Sequence, residues 1–329
     1  LAGFYTFIAQ KDPVMQEFLW GHPGRFNDFR IRFRSFFQGE KIQKISVDPG
    51  FTCPNRDGSK GFGGCTYCNN AAFTPYFSAV KYSVSQQLKT GIGFFAHKYP
   101  EMKYLAYFQS FSNTYAPVER LHILYEEALS FPGVRGLVIA TRPDCIDEEK
   151  AGYLASLAKD HYIMLEIGIE SHLDTTLKKI NRGHTFSDSV KALYIAARWN
   201  LNTTAHMIIG LPGETRKDWL DQARTISELP VGNLKLHQFQ VHKGTAIAER
   251  YSRYPDEFHL FTADEYIETV ADYLEILNPA ITVERFTSQA PSDILIAPAW
   301  GLKNHEFTAR VKKRLQERNS WQGKAYGQS

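Results

Sequence analysis

Six apolar runs, each trailed by a helix-period pattern, limit the folds open to this chain more than any other feature. The runs are KIQKISV (41–47), YLAYFQ (104–109), GLVIAT (136–141), IMLEIGI (163–169), TAHMIIG (204–210) and LKLHQFQV (234–241). Between and after them, apolar residues recur at three- and four-residue spacing. One set is Val84, Leu88, Ile92, Phe95 and Tyr99, and another is Leu121, Leu124, Tyr125 and Leu129. Val190, Leu193, Tyr194 and Ala197 form a third, Ala223, Ile226 and Leu229 a fourth, and Ile267, Val270, Leu274 and Leu277 a fifth. A further helix is expected to begin near Asp147. Strands apolar on both faces belong to a parallel sheet covered by helices, and right-handed crossovers wrap such a sheet into a barrel or part of one. The predicted fold is therefore α/β, a partial (β/α)6 barrel over 41–277. An N-terminal extension (1–40) precedes it and a short basic extension (278–329) follows. At 43% apolar and 14% aromatic, the chain has ample side chain for one large core, which excludes a disordered protein.

The first fourteen residues, LAGFYTFIAQKDPV, carry no basic segment ahead of the apolar part and no small-residue cleavage site, so they make a poor signal peptide. They are expected to add little to the fold and can be read as lying upstream of a natural start, since the first methionine is Met15. No run approaches the roughly 18 to 20 apolar residues of a membrane span, so no membrane partner is expected. Four cysteines, three of them clustered, with no export signal make a reducing cytoplasm the expected compartment.

Sheets of this kind keep their chemistry in the loops after the strand C-termini. The polar motifs here fall at those places: DPGFTCPNRDG after the first run, SFSNTY after the second, RPDC after the third, ES after the fourth, LPGE after the fifth and HKGT after the sixth. A structural reading exists for each. Glu166 and Glu170, on one side of a strand, suit a buried ion pair and a helix cap, and Arg182 and His184 could brace a turn. GLPGE could be a left-handed turn followed by a capping carboxylate. No structural need puts such residues at every strand end, and that coincidence marks the mouth of the barrel as the candidate site. His206, His237 and His242, on or just after the last two runs, are candidates for substrate contact or proton donation, weighed against the commoner buried, hydrogen-bonded histidine.

Cys53, Cys65 and Cys68 lie on the first of these loops as C-x11-C-x2-C. Three thiolates on one loop can chelate a cluster or a metal ion, and Gly58, Gly61, Gly63 and Gly64 let the loop bend around a bulky core. Three ligands leave a four-iron cluster with one iron free to bind something else, which a catalytic cluster needs and an electron carrier does not. A structural zinc site wants four closed ligands, and no histidine lies in the loop. Cys145 could be a fourth, yet it belongs to a separate motif and reads better as a half-buried small residue.

At this loop the sequence resembles the radical S-adenosylmethionine (SAM) superfamily, and within it the YhcC-type proteins, which are similar to the radical SAM domain of the Elongator catalytic subunit. The long first gap and the Cys65-Thr66-Tyr67-Cys68 ending match that branch. The likeness continues in order through ATRPDC (140–145), EIGIES (166–171), INRGHT (180–185), IIGLPGET (208–215) and KGT (243–245). It implies a [4Fe–4S] cluster on Cys53, Cys65 and Cys68 whose free iron binds SAM. One electron, from a donor such as flavodoxin or ferredoxin, then cleaves SAM to a 5′-deoxyadenosyl radical. It also implies SAM contacts. Tyr67 would sit near the adenine edge, and Gln109 and Ser110 occupy the place of the family's GGE motif without its glycines or acid. Glu170 and Ser171 would meet the ribose or methionine part, and Arg182 the carboxylate, as a fork matched to two oxygens. The backbone of Ile209, Gly210 and Leu211 would flank the adenine. An alternative of another class stays open, a non-catalytic Fe–S or zinc-binding barrel for electron transfer or scaffolding. The reaction outcome is not legible.

The Elongator likeness also implies tRNA as a candidate substrate. Two basic segments bear on it. Positions 24–45 hold six Lys/Arg (Arg25, Arg30, Arg32, Arg34, Lys41, Lys44) against two acids, and 301–329 hold seven (Lys303, Arg310, Lys312, Lys313, Arg314, Arg318, Lys324) against two. Phosphate contacts and stacking on nearby Phe26, Phe29, Phe33, Phe36, Phe37, Trp300, Phe307 and Trp321 would make an RNA footprint. The competing readings are solvated helix faces and a small-molecule or peptide substrate.

Overall fold

The computed structural model describes residues 18–72, 74–96 and 101–327. The expectations for residues 1–14 and for Tyr99 lie outside them. All six apolar runs form strands: β1 (Ile42–Val47), β2 (Lys103–Phe108), β3 (Val134–Thr141), β4 (Tyr162–Glu170), β5 (Asn202–Ile209) and β6 (Asn233–Gln238). Two short strands, β7 (Val241–His242) and β9 (Leu295–Ala297), pair as a separate antiparallel ribbon. Between them in sequence lies β8 (Thr282–Arg285), which joins the main sheet in the order β1-β2-β3-β4-β5-β6-β8, with every pairing parallel. This seventh strand comes from the segment that sequence patterning leaves to the C-terminal extension. Four residues are too few to show a period.

The helices are α1 (Phe29–Phe36), α2 (Val84–Ala96), α3 (Val118–Leu129), α4 (Glu148–Leu157), α5 (Asp174–Lys179), α6 (Phe186–Arg198), α7 (Arg216–Ser227), α8 (Ala246–Arg253), α9 (Ala263–Ile276) and α10 (Asn304–Glu317). Their starts follow local chemistry. Asp147 caps α4 by accepting from the Lys150 backbone, while Thr185 with Asp188, Thr215 with Asp218 and Thr262 with Glu265 form capping boxes on α6, α7 and α9. The α6 face needs a correction: Ser189, Ala192, Leu193 and Ala196 are buried, whereas Tyr194 is 51% exposed. Small residues let α6 sit close to its neighbours, and Tyr194, about 100° round the helix from Leu193, turns its phenol to water.

The two faces of each strand serve different ends. On β4, Ile163, Leu165, Ile167 and Ile169 join the core under the helices, while Tyr162, Met164 and Glu166 face the barrel axis. Full burial of each of those aliphatic side chains contributes about 1.5–3 kcal/mol. The sheet curls far enough that Lys44 of β1 reaches Glu284 of β8 at 2.7 Å, although these strands lie at opposite ends of the strand order. The N-terminal end of the barrel is closed by α1: Phe29, Phe33 and Phe37 pack on Leu105, Tyr107, Val138, Tyr162 and Met164.

Several cations of the two basic segments are paired within the fold. Lys44 lies inside the barrel, Arg30 and Lys312 pair with Asp28, Arg314 with Glu268, and Arg318 with Asp272 and Glu275. These contacts tie α10 to α9 and to the start of α1, while Arg32 and Arg34 stay exposed. Of the aromatics, Phe26, Phe29, Phe37 and Phe307 are buried, and Trp300 stacks on Phe307 with ring centres 5.6 Å apart. Phe36 is largely exposed, with its ring edge against Tyr162 and Phe37.

Candidate active site

The loop after β1 carries Cys53 and Cys65 buried and Cys68 half-buried, all with free thiols. Its tightest bend is at Gly63 and Gly64, both with φ of 78°. That left-handed backbone favours glycine, and a Cβ on Gly64 would also stand 2.7 Å from Arg56 Nε, which would have to move. The loop is stapled to the segment between α5 and α6. Asn55 Nδ2 donates to the Asn181 carbonyl, Asn181 Nδ2 to the Gly64 carbonyl at 2.8 Å, and the Thr66 amide to the Ile180 carbonyl at 3.0 Å. Arg142, from the RPDC motif, is fully buried. It grips Asp144 at 2.9 Å, donates from Nη1 to the Arg182 carbonyl at 2.6 Å, and lies 4.0 Å from Cys53 Sγ.

Arg182 stands beside the second thiol. Its Nη1 is 3.5 Å from Cys65 Sγ, and its Nη2 donates to the Gly168 carbonyl at 2.6 Å and lies 3.3 Å from Glu170 Oε1. Its Nε has no protein partner among the described residues. Glu170 ends β4 with φ of 71°, where the pairing with β5 slips between Gly168 and Glu170; such strain in a non-glycine residue gathers at functional sites. The slip turns its carboxylate onto His206 Nδ1 at 2.7 Å. Burial pushes the Glu170 carboxyl up, but His206 and Arg182 outweigh it and hold the group below the usual carboxylate range. His184 beside this pair is driven down to about 4, by burial and then by Arg182, and is neutral.

One cavity of about 240 Å³ links this mouth to the barrel interior. Cys53, Cys65, Cys68, Tyr67, Gln109, Glu170 and Arg182 line it, and so do Tyr107, Glu166, His206, Lys235, His237 and Arg285 deeper in. The floor is a buried charge network. Glu166 accepts from Lys44 at 3.0 Å, from Lys235 at 2.7 Å and from the Tyr107 hydroxyl at 2.6 Å. Burial opposes the Glu166 carboxylate, yet Lys235 and Lys44 hold its carboxyl well below the usual range. His237 is held neutral, by burial and then by His206 and the cations around it.

The remaining expected SAM contacts sit elsewhere. Ser110 is buried and bonded to Thr74 at 3.0 Å, and Ser171 is buried against Glu214 and the Leu173 amide. Ile209 belongs to the core under the helices, and Leu211 packs in a second cluster with Leu177 and Ile208. Gly210 takes φ of 91° beneath Phe261. Glu214 is not the α7 cap, since Thr215 and Asp218 take that place; burial pushes its carboxyl up to about 7. Cys145 is buried behind Arg142, its thiol pushed up to about 11 by burial, and it does not line the cavity. Among the described residues no three Cys, His, Asp or Glu side chains draw together as a single metal ion requires.

Sequence reasoning missed Lys44, Tyr107, Lys235 and Arg285 as site residues. The first and third had a signal, a lysine at an inward position of an apolar strand. Arg285 had none, because β8 showed no pattern.

Residues 51–226 match the family model described as the radical SAM superfamily, and 231–317 match that of the radical SAM C-terminal domain. The chain is 34% identical over 302 residues to the uncharacterized protein YtqA of Bacillus subtilis, covering 92% of this chain and 93% of YtqA. It is 31% identical over 294 residues to the protein YhcC of Escherichia coli K12, covering 88% and 92%. Among solved structures, the archaeal Methanocaldococcus infernus Elp3 lacking residues 1–46 superposes with a TM-score of 0.65 at 16% identity, a likeness of fold. The match spans 86% of this chain and 64% of that one.

Proposed function

The chain belongs to the radical SAM superfamily, and from that premise we propose that it is an enzyme that cleaves SAM reductively at the mouth of the barrel. Cys53, Cys65 and Cys68 would hold the [4Fe–4S] cluster, which when bound supplies the electron that cleaves SAM to a 5′-deoxyadenosyl radical. The observation that carries the reading is that three free thiols, two buried guanidiniums and the Glu170 carboxylate line one cavity. Arg142 and Arg182, the second 3.5 Å from a thiol sulfur, suit thiolates, since buried negative charge needs a partner. An electron carrier has no use for a cavity running from its ligands into a charged barrel interior.

The chain's own residues would divide the remaining tasks. Glu170, kept ionised by His206 and Arg182, can accept from an ammonium or from hydroxyls. Arg182 Nε would meet SAM's carboxylate and the half-buried Tyr67 its adenine, and Gln109, which lines the same cavity, would add a further polar contact. Ser110 and Ser171 would act behind this wall, and Ile209 to Leu211 through their backbone. Flavodoxin or ferredoxin is the proposed class of electron donor. A tRNA substrate is supported by the Elongator likeness, and the paired cations of α10 add nothing to it.

The test is spectroscopic. Anaerobically reconstituted protein should contain about four irons per chain and, once reduced, give a paramagnetic signal that changes when SAM is added. A signal indifferent to saturating SAM would sink the proposal.

A further inference from the structure

The barrel floor carries an unequal set of charges. Lys44, Lys235 and Arg285 stand against Glu166 and Glu284, and the two lysines already contact those carboxylates at 2.7 to 3.0 Å. Arg285 is the cation left over. Its only hydrogen bond to a described residue runs from Nη2 to His237 Nε2 at 3.2 Å, its Nε is buried without an acceptor, and no described carboxylate lies within ion-pair distance. This follows from the backbone. Lys235 pairs with Arg285 while Leu234 pairs with Val283, so Glu284 is an extra residue in β8, and the irregularity lets Glu284 and Arg285 both turn into the barrel. The side chain is half-buried, with its Nε shut off from water beside a neutral imidazole, and a buried guanidinium nitrogen is costly unless an acceptor completes it.

We propose that Arg285 anchors the carboxylate of a small organic substrate inside the barrel, below the cysteine mouth. The excess is one positive charge, which one carboxylate neutralises. A phosphate dianion would leave a buried negative charge uncompensated. The planar fork of the guanidinium also matches two carboxylate oxygens. The rest of the wall suits a polar body: Gln240 Oε1 and His242 Nε2 are buried without partners on the same cavity, and Gln238 and Gln240 are fixed by the Ser288 backbone. That the ligand is the substrate rests on the SAM-cleaving reading; that the site holds a carboxylate does not.

The experiment is fluorine NMR on the whole reconstituted 329-residue chain, without reductant or SAM, so that a failure of radical chemistry leaves it untouched. Trifluoroacetate probes the carboxylate, monofluorophosphate the phosphate, and trifluoroacetamide is the uncharged control. Trifluoroacetate should broaden on titration, while the amide should not; this comparison needs only the wild-type chain. Arg285→Gln should weaken trifluoroacetate binding at least tenfold and Arg285→Lys less, with the exposed Arg253→Gln as wild type. Equal binding by wild type and Arg285→Gln, equal broadening of the amide, or tighter binding of monofluorophosphate would each overturn the proposal.

Discussion

Lys235→Met isolates the energetics of the barrel floor. Its ammonium lies 2.7 Å from Glu166 Oε2 and 3.2 Å from the Tyr107 hydroxyl, and both side chains of the ion pair are only 4% exposed. Removing one partner of a buried pair costs about 3–5 kcal/mol, because a charge is left without compensation in a medium of low polarity. Here Glu166 keeps Lys44 at 3.0 Å and the Tyr107 hydroxyl at 2.6 Å, so the expected loss is at the lower end, about 3 kcal/mol. Glu166→Gln in the same chain removes the carboxylate that has lost one of its two lysines and leaves Lys44 paired with Glu284 at 2.7 Å. The double variant should therefore be more stable than Lys235→Met alone, by at least about 1 kcal/mol as coupled neighbours are. The assay is equilibrium urea unfolding followed by circular dichroism at matched cluster content. Lys235→Met within about 0.5 kcal/mol of wild type, the usual range of surface substitutions, or a double variant less stable than both singles, would refute the reasoning.

The same network sets an acid limit. Because the folded Glu166 carboxyl is held well below its usual value, its contribution is present above the unfolded value of about 4.3 and is lost as pH falls through the folded one; Glu166→Gln should flatten the loss of stability measured by acid titration. Alanine at Cys53, Cys65 or Cys68 should abolish the visible iron–sulfur absorption of reconstituted protein, while Cys145→Ala keeps it; loss in Cys145→Ala alone would show the ligand set to be wrong. Changing Arg310, Lys312, Lys313 and Arg314 together to Ala should leave any tRNA binding and its salt dependence as in wild type. It should lower the melting temperature by loosening α10 from α9, and a large drop in tRNA affinity instead would restore the RNA footprint.

Periodicity made the barrel legible and its limits explain what was missed. The six long strands announce themselves because both faces are apolar, whereas β8 has four residues and a bulge, so neither its place in the sheet nor the inward turn of Arg285 could be read. The three cysteines were legible as a proposed ligand set from spacing on one loop. The partners of Arg182 and Glu170 were not, since they depend on a register slip in β4 that no linear pattern records. Lys44, Glu166 and Lys235 were visible as charges interrupting apolar strands, and only the curl of the sheet shows that they meet. The basic termini show the same limit: charge counts along the chain say nothing of the acids on α9 or of Asp28, which pair with some of those cations in space.

The most direct test of the central claim is the product of SAM itself. Reconstituted, dithionite-reduced protein incubated anaerobically with SAM should form 5′-deoxyadenosine and methionine in equal amounts, and Cys65→Ala should form neither. Protein that holds four irons per chain, is demonstrably reduced and binds SAM, yet yields no 5′-deoxyadenosine, would contradict the account.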